Sequence, residues 1–476
     1  MSEIAALAPQ KVWEIFDLIC SIPHISKHET ALAQALYSKA VQAGLDAVID
    51  ETGNLIIDRP AAPGFENTPR VILQAHMDMV PASEGEFDFV NNAITACIDG
   101  NWVRAKGTTL GADDGIGVAH AMAVLLDKEF KCGAVTGIFT VDEEAGMSGA
   151  RNLAPHYLQG KYLLNLDGSN TGFCIGCAGG ARQEFTMTAA AGKVDPAKNF
   201  LSLNISGLPG GHSGVCIDKN RGNSIKFMAE FLDQLPDAVI ASFRGGTADN
   251  AIPYQATAEI MTSQSAAEVQ KLADAFVIML KKDCPAAKDM TLTVSDSKAS
   301  QTVFAPESTR DLLNAIILAP NEVIDVDDDL GIVKTSSNLA MINTTGLDIC
   351  IRTSQRSLDD NDRDAICAAL KAHFEIFNAK SDMGDIYPAT TPKMDTGLLK
   401  TAVACAKKMN KTHTPYAVHA GLESGWFSQK NPDLEIITCG PDHTGIHTPE
   451  EKLNITSVGQ FDSFLRELLT VIANNQ

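Results

Sequence analysis

Four short apolar runs, at 54–57, 71–75, 135–141 and 162–166, alternate with segments of helical periodicity in the first third of the chain. Residues 10–20 place Val12, Ile15, Phe16 and Ile19 at helical spacing, 28–43 continue that period up to Gly44, and 115–126 are rich in Ala, Val and Leu. Glycine directly after a periodic run reads as a helix C-cap. Strands that alternate with helices predict an α/β layer with a mainly parallel central sheet flanked by helices. Around residue 184 the character changes. Residues 198–206 and 254–262 alternate as strands do, and 222–235 and 265–282 are amphipathic helices. The α/β pattern returns from about 388, with a helix near 397–409 and a strand near 434–439. The sequence therefore predicts a discontinuous α/β main domain, 1–183 and 388–476, with a smaller α+β domain inserted at 184–387.

Composition narrows the function. The 476 residues carry 59 acidic and 38 basic side chains, a formal charge of −21, which excludes the positive footprint that nucleic acid or an anionic membrane requires. No apolar run approaches the ~18 residues of a membrane-spanning helix. The opening Met1-Ser2-Glu3-Ile4 has neither the basic nor the apolar region of a signal peptide, and the eleven cysteines cannot all pair, so reduced thiols and a cytoplasmic location are expected. Cys174 and Cys177 stand alone as a Cys-x-x-Cys and read as small buried residues.

The chemistry collects at strand ends and Gly-rich loops. Val71-Ile72-Leu73-Gln74-Ala75-His76-Met77-Asp78 is a strand ending in His-x-Asp, whose two polar side chains share one face at its carboxyl end. A metal-bound imidazole donates its second N–H to a carboxylate, and Asp78 is placed to receive it from His76. Gly107-Thr108-Thr109-Leu110-Gly111-Ala112-Asp113-Asp114 leads into a helix. Its paired aspartates suit either N-capping or a buried ligand, and the loop lacks the Gly-Lys-Ser/Thr of a phosphate site. The strand at 135–141 runs into Asp142-Glu143-Glu144, and that at 162–166 into Asp167. Buried carboxylates are costly unless paired or metal-bound. His443 and His447 are spaced i, i+4, but Gly440, Pro441, Gly445 and Pro449 make this segment a loop. His76, Asp113, Glu144, Asp167 and His447 together form a ligand set for two divalent cations, most simply Zn²⁺, with Mn²⁺ or Co²⁺ as alternatives. Three carboxylates against four positive charges leave room for a hydroxide, and Glu143 remains as general base.

These motifs, in this order, resemble the dizinc exopeptidases related to aminoacylase and carnosinase. Gly176-Cys177-Ala178-Gly179-Gly180, Gly210-Gly211-His212-Ser213-Gly214, Asn250-Ala251-Ile252-Pro253 and Ala420-Gly421-Leu422-Glu423-Ser424-Gly425 resemble the bacterial aminoacyl-histidine (Xaa-His) dipeptidases among them. The resemblance spans essentially the whole chain. It implies that Asp113 bridges two metals, that Asp78 orients His76, and that Glu143 is the base acting with a metal-bridging hydroxide. It also implies that the inserted block is a lid through which the chain forms a homodimer. His212 is then directed to the substrate carbonyl, Asn250 and Arg352 to its carboxylate, and Glu423 to the substrate pocket. The implied reaction is hydrolysis of Xaa-His and similar short peptides. A tripeptide aminopeptidase, carboxypeptidase or deacylase would share the same site, while a non-catalytic metal-binding protein would have no need of Glu143.

Overall fold

Period-two alternation along the apolar runs produces a sheet buried on both faces. The computed structural model describes residues 2–474, so Met1 of the opening segment lies outside the described residues. The strands Val71–His76 and Val135–Thr140 are buried at all six positions. Leu55, Ile57, Leu73, Phe139 and Leu164 face one layer, while their chain neighbours Ile56, Ile72, Ile138 and Leu163 face the other. Helices Gln10–Cys20, Ala112–Leu125, Gly397–Lys408 and Ile455–Asn474 contribute to the first layer, and Phe427 and Leu434 to the second. Fully burying one large apolar side chain contributes roughly 1.5–3 kcal/mol, so both layers hold the sheet.

The chain divides into two compact units. The first comprises the described residues through Gly176, Thr390–Ala417, and those from Leu422 onward. Its eight-stranded sheet runs in the order Asp46–Ile49, Leu55–Arg59, Val135–Thr140, Val71–His76, Tyr162–Asn165, Glu435–Thr438, Gly172–Cys177, Thr414–Val418. The four central strands are parallel. Antiparallel pairing appears on both margins, so the sheet is mixed rather than mainly parallel throughout. Register then decides where the chemistry falls. His76 lies opposite Thr140, Gln74 opposite Asn165, and Asn165 opposite Thr438. All four central strands thus end at one edge, and the segments that follow them carry Asp78, Glu143, Glu144, Asp167 and His447.

The second unit, Cys177–Ala389 with Val418–Gly421, is built on a nine-stranded sheet whose strand pairs are antiparallel. Helices Ser224–Asp233, Ala266–Asp283, Pro306–Ile317 and Asp360–Glu375 share one core with it. Ser265 and Glu268 form a reciprocal capping box that starts the longest of these helices. No helix among the described residues is long and apolar enough to cross a membrane.

In the first unit, helix Gln10–Cys20 braces helix Ala112–Leu125 through glycine. A Cβ on Gly115 would lie 3.3 Å from Ile19 and 3.4 Å from Phe16, and Phe16 is fully buried. Phe16→Ala is expected to destabilise this unit by about 3–5 kcal/mol, read as a lowered urea midpoint. An unchanged midpoint would contradict this packing.

Candidate metal centre

Five side chains, four from strand or helix ends and His447 from a turn, meet in the first unit. Ligand atoms of His76, Asp113 and Asp167 lie within 4.8 Å of one another, and so do those of Asp113, Glu144 and His447. Asp113 belongs to both groups. Its Oδ1 is 3.2 Å from His76 Nε2, and its Oδ2 is 3.3 Å from His447 Nε2. Asp167 Oδ2 stands 4.0 Å from His76 Nε2, and Glu144 Oε1 2.9 Å from His447 Nε2. Glu143 joins His76 and Glu144 in a third such group. The structure therefore brings together all five residues the sequence proposes as ligands, and the base candidate beside them.

The two adjacent aspartates divide the two roles open to them. Asp113 and Asp114 have non-helical backbone angles, and Asp114 Oδ1 accepts the Gly117 N–H at 3.2 Å, as an N-cap does. Asp114 caps the helix, and Asp113 projects into the cluster. Gly111 enters this turn at φ +72°, where an added Cβ would lie 2.9 Å from the Met79 sulfur.

Asp78 acts on more than His76. His76 Nδ1 lies 2.9 Å from the Asp78 backbone carbonyl and 3.6 Å from its carboxylate, so the carbonyl is the partner that orients the ring. The Asp78 carboxylate accepts the backbone N–H groups of Glu143 at 2.9 Å and Glu144 at 3.1 Å, and the Ser26 hydroxyl at 2.8 Å. One buried carboxylate thereby fixes the turn that carries both glutamates. Two further acidic residues do comparable work without a sequence signal that marks them. Glu29 accepts the Asp142 N–H at 2.9 Å, and Glu451 accepts four consecutive N–H groups from Leu110 to Asp113. Their partners lie 113 and 338–341 residues away along the chain, beyond the reach of local pattern.

Glu423 is also internal. It is 2% exposed and accepts hydrogen bonds from Gln74 at 2.6 Å and Thr140 at 2.7 Å. This makes it a member of the network tying the strand ends together, rather than the pocket-lining residue the sequence suggests.

Electrostatics favours cations here. Burial pushes the Asp167 carboxyl well above the ordinary range, and the charge of Asp113 adds to this. Burial likewise pushes Glu143 up, with His76 opposing and Asp167, Glu423 and Glu144 reinforcing. Burial would lower His76, but its hydrogen bond to Asp113 and the charges of Asp167, Glu143 and Asp78 carry it well above its usual value. The Asp113 and Glu144 hydrogen bonds raise His447 from 6.5 to about 10. Carboxylates that repel one another, and imidazoles that hold protons between them, are the donor set that two divalent cations would satisfy.

The second unit holds the remaining candidates. His212 is half-buried, pairs with Ala251 across a two-residue strand, and accepts the Gly214 N–H on Nδ1 at 3.1 Å. That bond leaves the neutral ring's proton on Nε2, free to donate. Burial and the Arg356 charge lower the pKa of His212, which favours the neutral form. The Asn250 backbone carbonyl accepts the Ser213 N–H at 2.8 Å. Arg352 is exposed and donates from Nε to Glu184 at 2.7 Å. Arg356, four residues on and so on the same face of the Asp348–Ser357 strand, is 6% exposed. It donates to the Tyr387 hydroxyl at 2.7 Å, and its buried Nε has no partner among the described residues. No sequence signal marks Arg356, because nothing in the local pattern separates a buried arginine from an exposed one on the same strand.

Comparison with known proteins agrees with this geometry. Residues 72–470 match peptidase family M20/M25/M40. The chain belongs to that family. It is 37% identical to the cytosol non-specific dipeptidase of Escherichia coli (strain K12) over 486 aligned positions, covering 99% of each chain. Among solved structures it is similar to the aminoacylhistidine dipeptidase of Vibrio alginolyticus, with a TM-score of 0.91, 35% identity, and 99% and 98% of the two chains covered. An aminopeptidase of Bacillus cereus shares the fold at a TM-score of 0.58 and 17% identity, covering 98% and 99%. The M20/M25/M40 match encloses His76, Asp113, Glu143, Glu144, Asp167 and His447.

The raised His447 gives a signed expectation. The folded chain keeps on His447 a proton that the unfolded chain releases above about 6.5, so metal-free protein loses stability as pH rises from 6.5 to about 10. A divalent ion takes the proton's place and is expected to remove this slope. Melting temperatures of chelator-treated and Zn²⁺-loaded protein across that range test it, and a flat metal-free profile would contradict it.

Proposed function

We propose that this chain is a metal-dependent dipeptidase that hydrolyses the peptide bond of short peptides, Xaa-His dipeptides among them, and that it works in the cytoplasm. The observation that carries the reading is that Asp113 offers one carboxylate oxygen to each of two ligand groups. His76, Asp113 and Asp167 would hold one ion and Asp113, Glu144 and His447 the other. Zn²⁺ suits this mixed imidazole and carboxylate set. When bound, such ions lower the pKa of water and polarise a carbonyl oxygen. The names of the Escherichia coli and Vibrio alginolyticus relatives support dipeptide substrates, and the first supports the cytoplasm.

The chain's own residues then perform proton transfer and orientation. Glu143 accepts a proton from the attacking water as its oxygen bonds to the scissile carbon. Glu143 returns that proton to the amine nitrogen as the C–N bond breaks, and the water's second proton also ends on the amine. Asp78 keeps Glu143 in place through the N–H groups of the 143–144 turn. Substrate contacts are assigned to His212, Asn250 and an arginine. Neutral His212, with its proton on Nε2, is suited to donate to an oxygen that gains negative charge. Arg356 is the better anion receptor, because Arg352 is neutralised by Glu184 while Arg356 has an unpartnered buried Nε. The second unit is also the part through which a homodimer would form.

Glu143→Gln is expected to fold and bind metal as the parent does, while kcat falls roughly 10²–10⁴-fold, because an amide cannot take the water's proton. A panel of Xaa-His and other dipeptides, assayed before and after chelation and again after Zn²⁺ is restored, tests substrate class and metal dependence together. Hydrolysis that survives chelation, or near-normal kcat in Glu143→Gln, would overturn the reading.

A further inference from the structure

Glu451 is 2% exposed, yet the hydrogen bonds its carboxylate accepts all come from main-chain N–H groups. Oε2 receives Leu110 at 2.7 Å and Gly111 at 3.0 Å, and Oε1 receives Ala112 at 2.8 Å and Asp113 at 3.2 Å. We propose that Glu451 is a positioning residue for the metal centre, fixing loop 110–113 so that Asp113 can face both ligand groups at once. This rests on Asp113 being the bridge, as proposed above.

Three observations support the role. The N–H groups of 110–113 lie before the turn that Asp114 caps, and Gly111 has no side chain to accept them, so their acceptor comes from elsewhere in the chain. Only a carboxylate offers two oxygens in one plane to four donors, since an amide would turn an NH₂ group toward two of them. The loop also needs external restraint, because Gly107 and Gly111, at φ +74° and +72°, give it conformational freedom. A second link follows from chain connectivity. Glu451 lies four residues beyond His447, so one short segment supplies both a ligand of one group and the clamp on the residue shared by both.

That connectivity separates the proposal from a purely local role. If Glu451 only shaped its own segment, its loss would disturb His447 and therefore one ion. The group His76, Asp113, Asp167 contains no residue from that segment. If Glu451 positions Asp113, its loss must weaken both ions.

The test is Zn²⁺ titration of the metal-stripped full-length chain by calorimetry, with a competing chelator for tight sites, on wild type, Glu451→Gln and His447→Ala. Two sites are expected in wild type, both weakened about 10–100-fold in Glu451→Gln, and one chiefly weakened in His447→Ala. Glu451→Gln that weakens only the site lost in His447→Ala, or neither, overturns the positioning role while leaving the bridge intact. Wild type that binds a single ion overturns the bridging reading and this inference with it. Circular dichroism of the metal-free variants checks folding. Glu451→Asp, which keeps both oxygens on a shorter stem, is expected to weaken both sites by less, and carries the same reading where Glu451→Gln does not fold. Unchanged affinities in Glu451→Asp, with Glu451→Gln unfolded, overturn the proposal.

Discussion

Mutual repulsion among carboxylates at one edge of a sheet is the constraint on which the first unit depends. Asp113, Glu143, Glu144 and Asp167 would move apart, or stay in water, if their backbones allowed it. Several features prevent this. In-register parallel strands end together and deliver their following residues to one place. Helices cover both faces of the sheet, so the strand ends cannot shift independently. Buried acceptors then pin the connecting turns by their N–H groups, with Asp78 holding the 143–144 turn and Glu451 the 110–113 loop. Acidic residues serve here both as candidate ligands and as clamps, and what distinguishes the two is whether their oxygens meet one another or main-chain N–H groups.

Much of this unit was legible from local sequence. Apolar strands with a carboxylate or histidine at the end report both their burial and their polarity, which is why His76, Glu144 and Asp167 stand out as ligand candidates from pattern, and the structure brings them into one cluster. The glycines and prolines of 440–449 mark this segment as non-helical. In the structure His443–Thr444 is a two-residue strand paired with Lys452 and Leu453, and His447 sits in the turn that follows, at φ +62°. Asp113 is chosen as the ligand candidate over Asp114 by the whole ligand set and the motif order, because local pattern suits either residue to a cap or a ligand. The Asp114 bond to Gly117 is what gives Asp114 the capping role. The clamping roles of Glu451 and Glu29, and the bonds of Glu423 to Gln74 and Thr140, have no local signal because these partners lie more than a hundred residues away along the chain. The antiparallel margins of the sheet were missed for a related reason, since periodicity reports that a strand exists but not the direction of its neighbour.

The second unit follows different physics. Its sheet is antiparallel, and its polar residues act by hydrogen-bond geometry rather than by crowding of charge. The Gly214 N–H fixes the His212 tautomer, and burial separates Arg356 from the neutralised Arg352. The Escherichia coli and Vibrio alginolyticus relatives carry names that differ in breadth, one non-specific and one aminoacylhistidine. His212, Asn250 and Arg356, the substrate contacts proposed above, are the positions at which that proposal would have a difference in substrate range arise.

Metal content per chain is the most direct measurement. Elemental analysis of fully active wild type, Asp113→Ala and His447→Ala, each equilibrated with the same free Zn²⁺, compares the shared ligand with an unshared one. Two ions in wild type, close to none in Asp113→Ala and about one in His447→Ala are the values that follow from Asp113 serving both groups. One ion per chain at full activity, or an Asp113→Ala chain that keeps one ion as firmly as His447→Ala does, would contradict it.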